Sequence, residues 1–112
     1  MPTPSGIQKA IDYIKANWRE GKTLKEIAHI HRVDPGNLAR AFRAKEGVTF
    51  KAFVDRKRKQ YVTETLKNSG QFGYEIGADL GFRSDLAFYR WTKRTFGTKF
   101  SGLRSGLHDK KR

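Results

Sequence analysis

The sequence predicts an all-α protein in which two helix-turn-helix subdomains are joined by a long linker helix. Apolar residues recur at helical spacing, the helical stretches open on recognisable caps, and one block of residues returns after fifty positions. A chain of 112 residues has room for one modest core, or for two small ones sharing a connecting helix.

The first helix opens at Ser5, which reads with Gln8 as a capping box. It continues through the stripe Ile7, Ala10, Ile11, Ile14 and Trp18 to a stop at Gly21. Thr23 with Glu26 makes a second box, opening a short helix through Leu24, Ile27, Ala28 and Ile30, and a turn follows at Arg32 and Val33. Asp34 is a good N-cap, and Pro35 suits the first helical position because the N–H it lacks would be unbonded there. The next helix is expected to reach about Glu46. Leu38, Ala41, Phe42 and the stem of Lys45 face inward, and Gly36, Ala39, Arg40 and Arg43 form a separate outward stripe. Phe50, Phe53, Val54, Tyr61, Val62 and Leu66 then mark the linker helix, over about residues 49–67. Its roughly 18 residues span about 27 Å.

Fifty residues on, the pattern returns. Ser84 caps where Asp34 did, Phe88 and Trp91 take the inward places of Leu38 and Ala41, and Gly97 with Phe100 repeats Gly47 with Phe50. Leu86, Tyr89, Arg90 and Lys93 repeat the outward stripe. Upstream the offset is 49, pairing Ile27 with Ile76 and Val33 with Phe82, so the second turn holds one extra residue. The first helix-turn-helix is expected at about 24–46 and the second at about 73–96. A short helix, a tight turn and a second helix with a cationic outer stripe is the arrangement in which the second helix enters the DNA major groove. An ordinary bundle with solvated stripes would explain either stripe alone, but explains both in register less well.

The charge agrees. With 24 Lys+Arg against 11 Asp+Glu the formal net charge is +13, which points to a polyanionic partner, nucleic acid first. Residues 7–46 carry 9 basic and 5 acidic groups, 47–69 carry 6 and 2, 70–104 carry 6 and 3, and 105–112 carry 3 and 1. The excess is therefore spread over the folded body instead of being held in an arm.

Other functions find little support. There is no cysteine, which excludes disulfide scaffolds, thiolate zinc sites and cysteine nucleophiles. His29 and His31 would lie about 200° apart on a helix and cannot chelate one ion. With His108 in the expected basic tail, 105–112, no catalytic constellation is legible, and neither an enzyme, a metal site nor a cofactor is expected. No run approaches the roughly 18 apolar residues of a membrane span, and the first residues lack the order of a signal peptide, so a soluble cytoplasmic protein is expected. Non-specific nucleic-acid binding or packaging is the alternative that charge alone allows. The capped reader helices, and the lack of an aromatic-studded sheet for stacking single-stranded bases, speak against it. A protein lying on anionic membranes or on an acidic partner should expose a broad apolar face, whereas Trp18 and Trp91 both fall on core stripes.

Leu24-Lys25-Glu26-Ile27-Ala28, Asp34-Pro35-Gly36-Asn37-Leu38-Ala39-Arg40-Ala41-Phe42, Gly47-Val48-Thr49-Phe50 and Leu80-Gly81-Phe82 stand in an order and spacing that resembles the DNA-binding domain of the AraC/XylS family, over roughly residues 7–104. The resemblance implies seven helices and two reader helices, 35–46 and 84–96, in successive major grooves of double-stranded DNA. It also implies control of promoters, often by activation, with RNA polymerase as a candidate second partner. It puts base contacts on Gly36, Ala39 and Arg40 in the first reader and on Leu86, Tyr89 and Arg90 in the second. The family usually adds an effector-binding or dimerisation domain, which nothing in this chain could form. Departures cluster in the second unit: Gly73 in place of an aliphatic residue, Gly77 in place of Ala, Thr92 in place of Phe, and Lys99 in place of Pro.

By their own chemistry, Arg40 and Arg90 can fork onto guanine or bind phosphate. Gly36 and Ala39 offer close approach and a thymine-methyl contact. Asn37 suits an adenine contact or a local cap. Leu86 and Tyr89 suit thymine-methyl packing or burial against the linker helix. Phosphate candidates are Arg43, Lys93, Arg94 and Arg56, the last within the run Arg56-Lys57-Arg58-Lys59 that winds around the linker helix. Thr49 joins them as a cap offering backbone N–H groups. Two interior glycines weaken a short helix by roughly 1 kcal/mol each. Phe72, Tyr74 and Trp91 are candidates to refill that second core, and the expected site is asymmetric, with the first half better specified and the readers roughly 34 Å apart.

Overall fold

The computed structural model describes residues 5–68 and 73–109, with side chains over 6–68 and 73–105. The described residues form seven α-helices and no strand. These are α1 (Ser5–Asn17), α2 (Leu24–Ile30), α3 (Pro35–Glu46), α4 (Phe50–Asn68), α5 (Gly73–Asp79), α6 (Asp85–Phe96) and α7 (Phe100–Asp109), with a 3-10 turn at Trp18–Glu20 between the first two. They fall into two compact units that divide within α4, one ending at Arg56 and the other starting at Lys57. α7 carries helix through residues 105–109, the first part of the segment expected as a tail; 110–112 lie outside the described residues. Among the described residues no helix is long and apolar enough to cross a membrane.

The core of the first unit is mostly aliphatic. Ala10, Ile11 and Ile14 of α1 pack with Ile27 and Ala28 of α2, with Leu38 and Phe42 of α3, and with Phe53 and Val54 of α4. Phe42 meets the edges of Phe50 and Phe53 at ring separations of 6.2 and 5.3 Å. The Tyr13 hydroxyl donates to the Glu20 carboxylate, tying the 3-10 turn to α1. That bond holds the Glu20 carboxyl below its ordinary range and the Tyr13 phenol above its own. The side chain of Ser5, one half of the expected Ser5–Gln8 capping box, lies outside the described residues, and Gln8 itself reaches along and across the helices. Its amide donates to Asp12 at 2.9 Å and its carbonyl accepts from Lys45 at 2.8 Å, because both partners lie within reach of its helix face. Ile30 leaves the expected apolar stripe: at the last position of a seven-residue helix it has turned past the buried face and is 53% exposed.

In the second unit aromatic rings replace the aliphatic packing. Phe88 lies 5.4 Å from Phe82, 5.6 Å from Phe100 and 6.3 Å from Trp91, and Phe82 lies 5.5 Å from Trp91. Ile76 and Leu80 are buried with them, and so is Thr92, whose hydroxyl donates 2.9 Å to the Phe88 carbonyl one turn back. Of the residues expected to refill this core, Trp91 does so, Tyr74 is exposed, and Phe72 lies outside the described residues.

The two departing glycines do not loosen this unit. A Cβ at Gly77 would lie 2.9 Å from Phe88 Cγ and 3.0 Å from Phe88 Cβ, and one at Gly73 would lie 2.6 Å from the Tyr89 hydroxyl. Their bare backbones let α6 carry larger side chains, so the expected weakness of α5 is offset by packing that alanine would obstruct.

Both turns are built alike. Arg32 at φ 57° and Gly81 at φ 82° occupy the left-handed region at equivalent places. Val33 N–H donates to the Ala28 carbonyl at 3.0 Å, as Phe82 N–H does to Gly77 at 3.1 Å. The extra residue of the second unit, Arg83, follows this conserved geometry and shifts only the entry to α6.

Candidate nucleic-acid interface

The two candidate reader helices, α3 and α6, are each fixed at both ends. Asp34 Oδ2 accepts from Asn37 N–H at 2.9 Å, and Ser84 Oγ from Ala87 N–H at 3.1 Å. Gly47 and Gly97 close the helices at φ 80° and 77°, their N–H groups donating to the Arg43 and Lys93 carbonyls. Pro35 occupies the first turn of α3. The Thr23–Glu26 box forms with both its bonds, Glu26 N–H to the Thr23 hydroxyl at 3.0 Å and Thr23 N–H to the Glu26 carboxylate at 2.7 Å. Both helices are therefore preset by their own caps.

Burying Leu38 and Phe42 turns Asn37, Arg40 and Arg43 outward, with Gly36 and Ala39 half-buried between them. The Arg40 guanidinium donates to Asn37 Oδ1 at 2.5 Å, and a Cβ at Gly36 would lie 3.5 Å from its Nη1. In the free chain the arginine thus folds back along the helix. Asn37 both receives the cap through its backbone and holds Arg40 through its side chain.

On α6, burying Phe88 and Trp91 leaves Leu86, Tyr89, Arg90, Lys93 and Arg94 exposed. Leu86 stands out at 57%. Tyr89, at 38%, leans its ring over Gly73 and meets Phe100 edge to face at 5.9 Å. Its phenol therefore walls a groove more than it projects from the helix.

Thr49 caps α4, its hydroxyl accepting from Ala52 N–H at 3.1 Å, and remains exposed. Arg56 is exposed, with its guanidinium 5.9 Å over the Phe53 ring. Arg58, two residues on, was not singled out by the sequence. It stacks on Phe82 at 4.1 Å and donates at 3.5 Å to the Leu80 carbonyl, so it serves the second core. The available signal was its spacing: Arg58 falls four residues after Val54 and four before Val62, on the apolar stripe. His31 turns its Nδ1 to the Ile27 carbonyl at 2.9 Å, and His29 is exposed.

The sequence profile of the helix-turn-helix domain family matches residues 27–106. The chain belongs to this AraC-type helix-turn-helix family. The family is one of DNA-binding transcription regulators, not of enzymes. Regulatory protein PocR of Salmonella typhimurium is 29% identical over 110 residues, which is 96% of this chain and 36% of PocR; the chain thus spans about a third of that relative. The DNA-binding domain of AdpA, a global transcriptional factor crystallised with a target DNA, superposes with a TM-score of 0.75 at 17% identity, covering 94% of this chain and 95% of that one. A transcriptional regulator of Chromobacterium violaceum with an AraC-type DNA-binding domain gives 0.65 at 20% identity and 92% coverage of both chains. At these identities the likeness is one of fold.

Proposed function

We propose that this chain is a sequence-specific double-stranded DNA-binding unit of a bacterial, cytoplasmic transcription regulator, with α3 and α6 entering adjacent major grooves. One observation carries the reading: two capped helices expose an arginine and a second cation at places fifty residues apart, Arg40 with Arg43 and Arg90 with Lys93. Arg40 and Arg90 fork onto guanine, Gly36 and Ala39 let the first reader come close, and Leu86 packs on a thymine methyl. Asn37 releases Arg40 when the groove is entered. Arg43, Lys93, Arg94, Arg56 and Thr49 hold phosphates. Tyr89 contributes as a wall of the interface more than as a base reader. We propose activation through RNA polymerase as the regulatory outcome.

The test is a pair of duplexes, one enriched from a random pool and one random. Arg40→Ala is expected to weaken the enriched site by about 1–3 kcal/mol and the random duplex much less; equal losses would make Arg40 a phosphate clamp. Affinity should fall with salt as for roughly 6–10 neutralised phosphates, and a flat response would end the nucleic-acid reading. The asymmetry expected from a loose α5 loses its basis in the tight contacts at Gly73 and Gly77. Single-base changes under α3 and α6 are now expected to cost comparable amounts, about 1–3 kcal/mol each.

A further inference from the structure

We propose that the groove between α6 and the start of α7 binds small amphipathic organic anions, carboxylates with an apolar body, and that such an anion and duplex DNA exclude one another. The exclusion rests on the DNA reading above; the binding does not.

The groove has a volume of about 780 Å³, within the roughly 300–1,000 Å³ of small-molecule sites. Tyr89 and Phe100 supply an aromatic floor, their rings edge to face at 5.9 Å, with Ser101 at one end. Arg90, Lys93, Arg94 and Lys99 line the same groove; all four are exposed, and no described carboxylate pairs with them. A phosphate needs the cations but has no use for the floor. An anion with an apolar body uses both, its carboxylate at the rim and its chain across the rings.

Two other grooves mark the contrast. The equivalent place in the first unit, bordered by Ala39, Arg40, Arg43, Phe50 and Lys51, is also cationic but has a volume of only about 410 Å³. The groove between α1 and α3 has Asp34 on its rim, and the one cation lining it, Lys45, is already bonded to Gln8. The α6–α7 groove is thus the roomiest of the three, and unlike the α1–α3 groove it has no carboxylate on its rim. Because Arg90, Lys93 and Arg94 are also the second reader's DNA contacts, an occupant takes them away from the duplex.

The DNA-free chain, isotope-labelled, is titrated with decanoate below its micelle concentration and followed by NMR. Saturable shifts should centre on Tyr89, Lys93, Phe100 and Ser101. Shortening the chain should weaken binding by up to about fourfold per methylene, and decanol should bind several-fold more weakly than decanoate. Lys99→Glu, a change outside the DNA contacts, should weaken decanoate several-fold while the rest of the spectrum stays in place. Decanoate should then raise the apparent Kd for the enriched duplex, and less so in K99E. Absent or diffuse shifts, or equal binding of butyrate and decanoate, would overturn the site. Saturable binding that leaves the duplex Kd unchanged would overturn the exclusion. A chain that binds decanoate in the groove but prefers no duplex would defeat the DNA reading and leave the site standing.

Discussion

The two units solve one packing problem with the large and small residues exchanged. Ala28 and Leu38 share the first unit's core, and at their equivalent places in the second Gly77 lies close against Phe88. Leu24 and Ala39 border one groove in the first unit, and their equivalents Gly73 and Tyr89 touch in the second. Ala41 beside Phe42 becomes Trp91 beside Thr92, with the threonine hydroxyl satisfied by its own helix. Departures that look like defects one position at a time are therefore compensated by the neighbours they touch. The turn and both caps are constant, so each unit keeps its reader helix in the same local frame while its core changes from aliphatic to aromatic.

The sharpest way to break this comparison is Gly77→Ala. By helix propensity alone it should stabilise α5 by roughly 1 kcal/mol. The added Cβ meets the fixed root of the Phe88 side chain at 2.9–3.0 Å, so overpacking should win and the second unit should lose about 1–3 kcal/mol. Hydrogen exchange of α5 and α6 amides, compared with those of α2 and α3, locates the loss. Adding Phe88→Leu, which transplants the first unit's pair, should not recover it, because leucine keeps the Cβ and Cγ that the new methyl meets. A neutral or stabilising Gly77→Ala would show that the exchange of sizes is incidental.

Helical spacing and cap chemistry made much of the fold legible. The Thr23–Glu26 box, the Asp34 and Ser84 caps, Pro35 and the buried stripes could all be read locally, because each depends on residues within one turn. What escaped the sequence depends on contacts between elements. The close approach of α5 and α6 is set by Phe88 and Tyr89, far along the chain from the glycines they touch. The pull of Lys45 on Gln8 likewise links α3 to α1. At the candidate interface the outward stripes were legible, but the fold-back of Arg40 onto Asn37 and the lean of Tyr89 over Gly73 were not, since rotamers follow from neighbours and not from spacing.

Arg58 gives a second, smaller test. It belongs to the second core, whereas Arg56, two residues earlier on α4, stays at the surface. Arg58→Ala removes the stack on Phe82, which itself packs on Phe88 and Trp91, and should lower the stability of the second unit by about 1–2 kcal/mol. Arg56→Ala should leave urea stability within about 0.5 kcal/mol and reduce the salt slope of DNA binding by about 1. If the two substitutions exchange these effects, Arg58 is a phosphate contact and the second core does not need it.

The smallest expected effect concerns the shared turn. Arg32 and Gly81 adopt the same left-handed backbone, but only glycine does so without a Cβ against the following carbonyl, at a cost of roughly 1–2 kcal/mol for other residues. Arg32 is exposed and its side chain makes no described hydrogen bond, so its replacement removes strain with little loss of contact. Glycine also widens the unfolded ensemble, which returns about 0.4–1 kcal/mol of the gain. The balance for Arg32→Gly should be a stabilisation of the first unit by about 0.5–1 kcal/mol, read from urea unfolding and from slower exchange of the Val33 amide, whose N–H closes the turn onto Ala28. Gly81→Ala should move the second unit the other way by a similar amount. A destabilising Arg32→Gly would mean that the arginine side chain holds the first turn through contacts the second does without, and the two turns would then share a shape for different reasons.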